Sequence, residues 1–564
     1  MRKQILGLLA LAMLTAPAVA NANAADCGAT DVPLLISADV TVNTTWSGTV
    51  VLTQPIFVKN GATLTILAGT IVRGQPRTAA VTQGSTVGTP GALIVTSNGR
   101  LVADGSATNS IIMTTAVVDN NNDGVGDDDD ANGFKDAWVA GDTFLDDECG
   151  TRPLSPLAAD GTSNTNLWGG LVINGNAPVN TLNGTFQVEG LTVPGFPVAD
   201  VLCGGDEPHD NSGSLTYVSV RHAGDEIGLS NELNGITLCG VGDGTKLSYA
   251  EVYVNFDDGI EWFGGTVNGD HLVISFVGDD SYDVDLGYTG VNQFLFDMHT
   301  FFDLDNGTTY GSVSGDKLGE WDGDNFDEGL GNVCVRADGS QCPHPGFDFW
   351  NMTGIGTLQP ANAAWFDPAS ANRGVQFRHC AAGRLYNSVI VNTGTAKGLD
   401  IDPLMPSGTS CGAGFGSHDV AAHTTQGLIT MSCTTMQDVP ALGATETTAS
   451  TNGNTLSLLL GAGASSANSI NPPTSGLSGA FSLVNENTTF DVSGVLGKLD
   501  PSLKATKIDP RLVTGGLGRP NAGCPAPPMP LDSAAVYRGA FAIGAPELWT
   551  KGWTAMNQGG LLAD

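Results

Sequence analysis

Three segments of the chain share one pattern: LTYVSVRHAGDEIGL from Leu215, LSYAEVYVNFDDGIEW from Leu247 and LYNSVIVNTGTAKGLDI from Leu385. Each opens on an apolar residue, alternates β-branched with polar positions, reaches a polar corner, and resumes with Gly or an acidic residue before Ile or Leu. Alternation with period two gives a strand one buried face, and none of the three carries the 3.6-residue period of an amphipathic helix. Residues 50–74, 91–115 and 168–176 repeat the style as short β-branched runs punctuated by Gly or Asn-Gly. Recurrence every 20 to 30 residues predicts coils stacked into a solenoid, each burying its inward side chains against its neighbours. LVISFVGDDSYDVD from Leu272 follows Leu247 at 25 residues, about one coil, and Asn255 and Asn392 are comparable polar corners.

Composition supports a folded chain and removes some partners. A hydrophobic content of 41% can fill a large core, while 76 glycines and only 14% charged residues exclude a coiled coil. The net charge of −35 opposes approach to a phosphate backbone or an anionic lipid surface, so nucleic acid is not an expected partner. Residues 1–25 read as a signal peptide: Arg2 and Lys3, an apolar run from Ile5 to Leu14, and Ala18-Val19-Ala20 as a cleavage site. That run is too short to span a bilayer, and no later segment is a better candidate. The chain is expected to be exported, to the periplasm, the outer surface or the medium. Ten cysteines without a CxxC pair then predict disulfides, with Cys334–Cys342 the best local pairing.

Domain organisation follows from breaks in the pattern. The solenoid is expected over 26–440, with an Asp-rich insertion near 119–165 and a Gly-, Asp- and aromatic-rich one near 303–370. Residues 441–480 read as a Ser/Thr/Gly-rich linker or loop, and 481–564, with Tyr537, Phe541, Trp549 and Trp553, as a C-terminal cap.

The sharpest motif is DNNNDGVGDDDD at 119–130. Asp119, Asn121, Asp123, Asp127 and Asp130 take positions 1, 3, 5, 9 and 12 of a twelve-residue calcium loop, Gly124 supplies the sharp turn at 6, and the Val125 carbonyl serves at 7. An all-oxygen ligand set favours Ca²⁺ over a transition metal. The final Asp and the lack of flanking helices bring it nearer to dockerin-like or thrombospondin-like loops than to the EF-hand.

A second acidic concentration comprises Asp257, Asp258, Glu261, Asp279, Asp280, Asp283 and Asp285. Asp258 and Asp280 lie one coil apart, so their carboxylates are expected on adjacent rungs, where repulsion raises pKa values or recruits a cation. Three readings follow: a calcium site, a glycosidase acid/base pair, or a solvated ladder. A third set, Asp303, Asp305, Asp322, Asp324, Asp327 and Glu328 among Tyr310, Trp321, Phe326, Phe347, Phe349 and Trp350, reads either as a sugar groove or as a loop packed on the solenoid flank.

GATLTILAGTIV, GALIVTSNGRLVADG and WGGLVINGN resemble coils of the right-handed parallel β-helix proteins of the pectin-lyase-like superfamily. DDGIEWFGGTVN, GDDSYDVDLGYTG and YRGAFAIGAPELWTKGWTAM are similar to a group of secreted or surface bacterial β-helix proteins without an assigned activity. The resemblance implies an all-β right-handed parallel β-helix. Asn255-Phe256-Asp257 and Gly278-Asp279-Asp280 are also similar to the acidic elements of polygalacturonase-type hydrolases, which implies acid/base roles for Asp257, Asp279 and Asp280. The later elements are missing: His299 lacks flanking glycines, and no Arg-x-Lys follows. Lyases of this fold use Arg or Lys as base, which points to Arg378 or Arg384. The expectation is therefore a calcium-binding extracellular component that contacts a polysaccharide or cell-surface glycan, or else a calcium-dependent polysaccharide hydrolase or lyase.

Overall fold

The computed structural model describes residues 32–437 and 524–562, less internal segments of which the longest are 324–345, 359–372 and 402–427, and short stretches at 469–471, 482–485, 488–491 and 510–511. The signal sequence, Asn392, Cys334 and Cys342 lie outside the described residues. Within them the chain is nearly all β, with helices of one turn only at Val198–Val201 and Ala555–Gln558.

The strands build a right-handed parallel β-helix. One face is a ladder of nine parallel strands: Pro55–Val58, Ala92–Val95, Gly170–Asn174, Ile236–Cys239, Ile260–Phe263, Tyr282–Asp285, Lys317–Asp322, Arg373–Arg378 and Leu399–Ile401. The other two faces are joined by strands that turn a corner without ending. In Gly213–Arg221, residues 213–216 pair with 101–104, whereas 218–220 pair with 111–113. The corner is Tyr217, and its counterparts in Lys246–Tyr253, Asn268–Ser275, Val291–Asp303 and Phe347–Leu358 are Tyr249, His271, Phe294 and Asn351. All five have positive φ, from 52° to 60°. Left-handed backbone is unfavourable for bulky residues, so the corner must be held by contacts that recur. Ring stacking provides them: centroids lie 4.3 Å apart for Tyr217–Tyr249, 4.2 Å for Tyr249–His271 and 4.7 Å for His271–Phe294.

The interior is filled by alternate residues of each strand. Ile260 and Trp262, Tyr282 and Val284, and Trp321, Phe349 and Phe377 belong to one continuous core. This corrects two expectations about 303–370. Lys317–Asp322 and Phe347–Leu358 are rungs of the solenoid, paired in parallel with their neighbours. Trp321, Phe347 and Phe349 point inward, so they line no sugar groove; alternation places them inside, and their Gly- and Asp-rich context hid it. Coil register is also shorter than the 25 residues read from Leu247 and Leu272: Leu247 lies opposite Gly269, and Leu272 opposite Ala250.

Residues 524–562 run along the flank of the solenoid and do not close an end. Phe541, Trp549, Trp553 and Met556 pack on Tyr253, Phe276, Phe296 and the stacked corner rings. The strap is tied by Cys433–Cys524 at one end. Its Ala535 carbonyl then accepts hydrogen bonds from the side-chain amides of Asn387 and Asn351 on the solenoid. At the other end the buried Glu251 carboxylate accepts the N–H of Ala555 at 2.7 Å, and Arg221 Nη2 donates to Gln558 Oε1 at 2.7 Å. A second disulfide, Cys203–Cys239, pins the segment carrying Val179, Val188, Leu191 and Val201 over Phe263 and Leu286 on the nine-stranded face.

Candidate metal and glycan site

The outward positions of the nine-stranded face carry Glu261, Asp283 and Glu320 in one register line, with Asp285 and Asp322 two residues further along their strands. The corner that feeds this face supplies the rest. Asp258 and Asp280 are aligned as the 22-residue spacing requires: Asp280 N donates to Asp258 Oδ1 at 2.8 Å, and Gly259 N to the Asp280 carbonyl at 2.9 Å. The carboxylates meet in four overlapping groups, each with ligand atoms within 4.8 Å of one another: Asp257, Asp258 and Asp279; Asp258, Glu261 and Asp283; Asp279, Asp280 and Asp316; Asp280, Asp283 and Glu320. Asp257, Asp279 and Asp280, which the hydrolase resemblance singles out, thus belong to one continuous line that Asp316 and Glu320 extend. Those last two are hard to pick out from the sequence because they sit in a stretch that reads as an insertion.

The line is electrostatically uneven. At one end Lys317 Nζ lies 3.1 Å from Asp280 Oδ2, 2.5 Å from Asp316 Oδ2 and 2.8 Å from Glu320 Oε1. Arg378 joins Glu320 at 2.6 Å and Asp322 at 2.7 Å. At the other end, Asp257, Asp258, Glu261 and Asp283 have no Lys or Arg in ion-pair contact among the described residues. Glu261 takes a hydrogen bond from Asn234 Nδ2, and Asp283 Oδ1 is buried with no hydrogen-bond partner. Burial holds Asp258, Glu261 and Asp283 well above the usual carboxylate range, and like charges on adjacent rungs add to it. Asp257 is pushed up to about 8, first by burial and then by Asp279, Glu189 and Glu232. Asp280 is raised by burial against the pull of Lys317. The line opens to solvent at the corner, where Phe256 and Asp279 are exposed and Asp257 is half-buried.

The other candidates of the sequence fall into place around it. His299 is buried, with Nε2 2.9 Å from the Lys317 carbonyl and 3.1 Å from Ser281 Oγ; His222 is buried too, its pKa lowered to about 3 by burial. Arg384 is paired with Asp348, and Arg378 with Glu320 and Asp322, so neither of the expected lyase bases stands apart from a carboxylate. Of the third acidic set, Asp305, Asp324, Asp327 and Glu328 lie outside the described residues.

The 119–130 motif forms the first of two successive turns of one design. Asp119 accepts the N–H groups of Asp123 and Gly124, Asn121 accepts that of Asp123, Asp123 that of Val125, and Asp127 that of Asn120. Nine residues on, Asp128 accepts from Asn132 and Gly133, Asp130 from Asn132, Asn132 from Phe134, and Asp136 from Asp129. Gly124 and Gly133 occupy the same positive-φ position, at 79° and 88°. Asp130 therefore takes the third position of the second turn. The repeat D-x-N-x-D-G-x-x-D, D-x-D-x-N-G-x-x-D is legible in the sequence, but a twelve-residue template runs across its boundary. The turns are anchored through the segment that follows them: fully buried Arg73 donates to Asp146 Oδ1 at 2.7 Å and to the Thr115 carbonyl at 2.9 Å, with its guanidinium 3.9 Å from the Phe144 ring centroid.

No helix among the described residues is long and apolar enough to cross a membrane. The disulfides Cys203–Cys239 and Cys433–Cys524 are compatible with an extracellular protein. Comparison with curated proteins and with solved structures finds no match. Residues 151–327, which hold the rungs of Asp257, Asp258, Asp279 and Asp280, match the family model described as a pectate-lyase like beta helix domain, and with the parallel ladders above this identifies the architecture as a pectin-lyase-like right-handed parallel β-helix and supports a carbohydrate-related role.

Proposed function

We propose that the protein is an exported, calcium-binding β-helix protein that holds glycan on its acidic face as an extracellular or cell-surface component. The observation that carries this reading is the end of the carboxylate line where Asp257 meets Asp258, and Asp258 meets Glu261 and Asp283, with no Lys or Arg among the described residues in ion-pair contact with any of the four, and with Asp283 Oδ1 buried without a hydrogen-bond partner. Ca²⁺ takes six to eight hard oxygen ligands, and this cluster offers only oxygens. Bound there, the ion would neutralise the cluster and accept uronate or hydroxyl oxygens of a sugar. The paired turns at 119–127 and 128–136 offer a second oxygen-only set, suited to calcium in a structural role.

Binding is favoured over cleavage by what surrounds the carboxylates. Lys317 is engaged by three of them and Arg378 by two, which leaves neither poised as a base, and Asp280 is ion-paired in a buried position that suits a general acid poorly. The test uses the purified full chain on polygalacturonate, alginate, xylan and β-glucan, with calcium and with chelator. The expected result is calcium-dependent retention of at least one polymer without new reducing ends or unsaturated products. Cleavage products lost in Asp280→Asn would make it an enzyme; no retention of any polymer would overturn the reading.

A further inference from the structure

The corner that opens onto the acidic line carries an aromatic ring with no ring partner among the described residues. Phe256 is 44% exposed and is the only aromatic side chain among the strongly exposed apolar residues described. The positions that stack on it, one coil before and one coil after, are Gly224 and Gly278. A Cβ on Gly278 would stand 1.6 Å from the Phe256 carbonyl oxygen, and one on Gly224 would stand 2.5 Å from its backbone N. The coils are pressed backbone to backbone on both sides of this residue, and no side chain rises from either to cover the ring.

Another corner of the coil is filled in the contrary way. There Tyr217, Tyr249, His271 and Phe294 occupy successive rungs, each ring covers the next, and Trp549 and Trp553 of the strap close over them. The same repeat that buries rings there isolates one here. Asp257 follows Phe256 directly, and Asp279 follows Gly278 on the next rung, so two carboxylates reached by solvent flank the isolated ring. An aromatic face beside hydrogen-bond acceptors is complementary to a pyranose, which has an apolar C–H face and a rim of hydroxyl donors.

We propose that Phe256 is the stacking platform of a pyranose subsite, with Asp257 and Asp279 accepting hydroxyl hydrogens of the same sugar. This rests on the glycan-binding reading above and specifies where the sugar sits. Its test uses the polymer retained by the unaltered chain from the four-member panel. Phe256→Ala is expected to weaken binding about tenfold, which corresponds to about 1.4 kcal/mol, with the melting temperature and the calcium response unchanged. Phe256→Leu keeps the apolar bulk without a flat π face and is expected to lose a similar factor, whereas Phe256→Trp is expected to keep binding and to shift its added indole emission to the blue when the polymer is present. Wild-type affinity in Phe256→Ala, or an unresponsive indole in a Phe256→Trp variant saturated with polymer, would overturn the platform while leaving the glycan-binding reading intact. No retention of any polymer by the unaltered chain would overturn both.

Discussion

Two corners of this solenoid are built by one device and arrive at opposite energetics. At the Tyr217–Phe294 corner the repeat stacks rings, and every rung added improves the contact of the last. At the Asp257–Asp280 corner it stacks carboxylates, and every rung adds a like charge to a desolvated line. A parallel solenoid multiplies whatever side chain occupies a position. It becomes a source of stability where that side chain attracts its own kind, and a demand for a cation where it repels it.

The largest effect is expected at the aromatic corner. Trp553 is fully buried between the strap and the stacked rings, so Trp553→Ala is expected to cost about 3–5 kcal/mol, read by thermal or denaturant unfolding. A loss below about 1 kcal/mol, well short of an ordinary buried-aromatic truncation, would mean that the strap is an accessory to the corner.

At the acidic corner the sign with pH is the telling measurement. Asp257, Asp258, Glu261 and Asp283 have folded pKa values raised above their unfolded values, so the folded state holds more protons between the two. In chelator, stability is therefore expected to be fullest below about pH 4 for these groups and to fall as pH rises toward about 8, the value for Asp257, by about 1.4 kcal/mol per pH unit for each extra proton retained. Calcium should flatten the slope, and Asp258→Asn should reduce it in chelator. Stability that instead rises between mildly acidic and mildly basic pH in chelator would show that the line is compensated from within the protein.

The smallest effect sharpens the aromatic side. Tyr249→Leu removes a ring stacked on Tyr217 and His271, and is expected to cost about 0.5–1.5 kcal/mol beyond its lost apolar area, read by denaturant unfolding. The same change should leave the calcium response of the acidic corner untouched, since the stacked rings and the carboxylate line lie on different corners of the coil.

Much of this was legible in the chain. The 22-residue interval from Asp258 to Asp280 pointed to their stacking, but the 25 residues from Leu247 to Leu272 suggested a different period, and only the pairing of the rungs decides between them. Alternation could have placed Trp321, Phe347 and Phe349 inside, but short coils rich in Gly and Asp look like loop when the neighbouring rung is not in view. Glu320 and Lys317 are hidden for that reason, and with them the neutralised half of the acidic line. The strap was the least legible element. Its aromatics announced a packed segment, but their partners sit hundreds of residues earlier, and no local periodicity records where such a segment docks.

A stack of coils in which each touches only its neighbours behaves as a one-dimensional array and frays from its ends. The strap alters that behaviour. Held at Cys433 and latched at Glu251 and Arg221, it links rungs far apart in the array, so the spanned coils cannot peel away singly without releasing it. Because its docking surface is assembled from several rungs, it can settle only after those rungs have formed, and its docking turns a sequential stack into a unit that melts together.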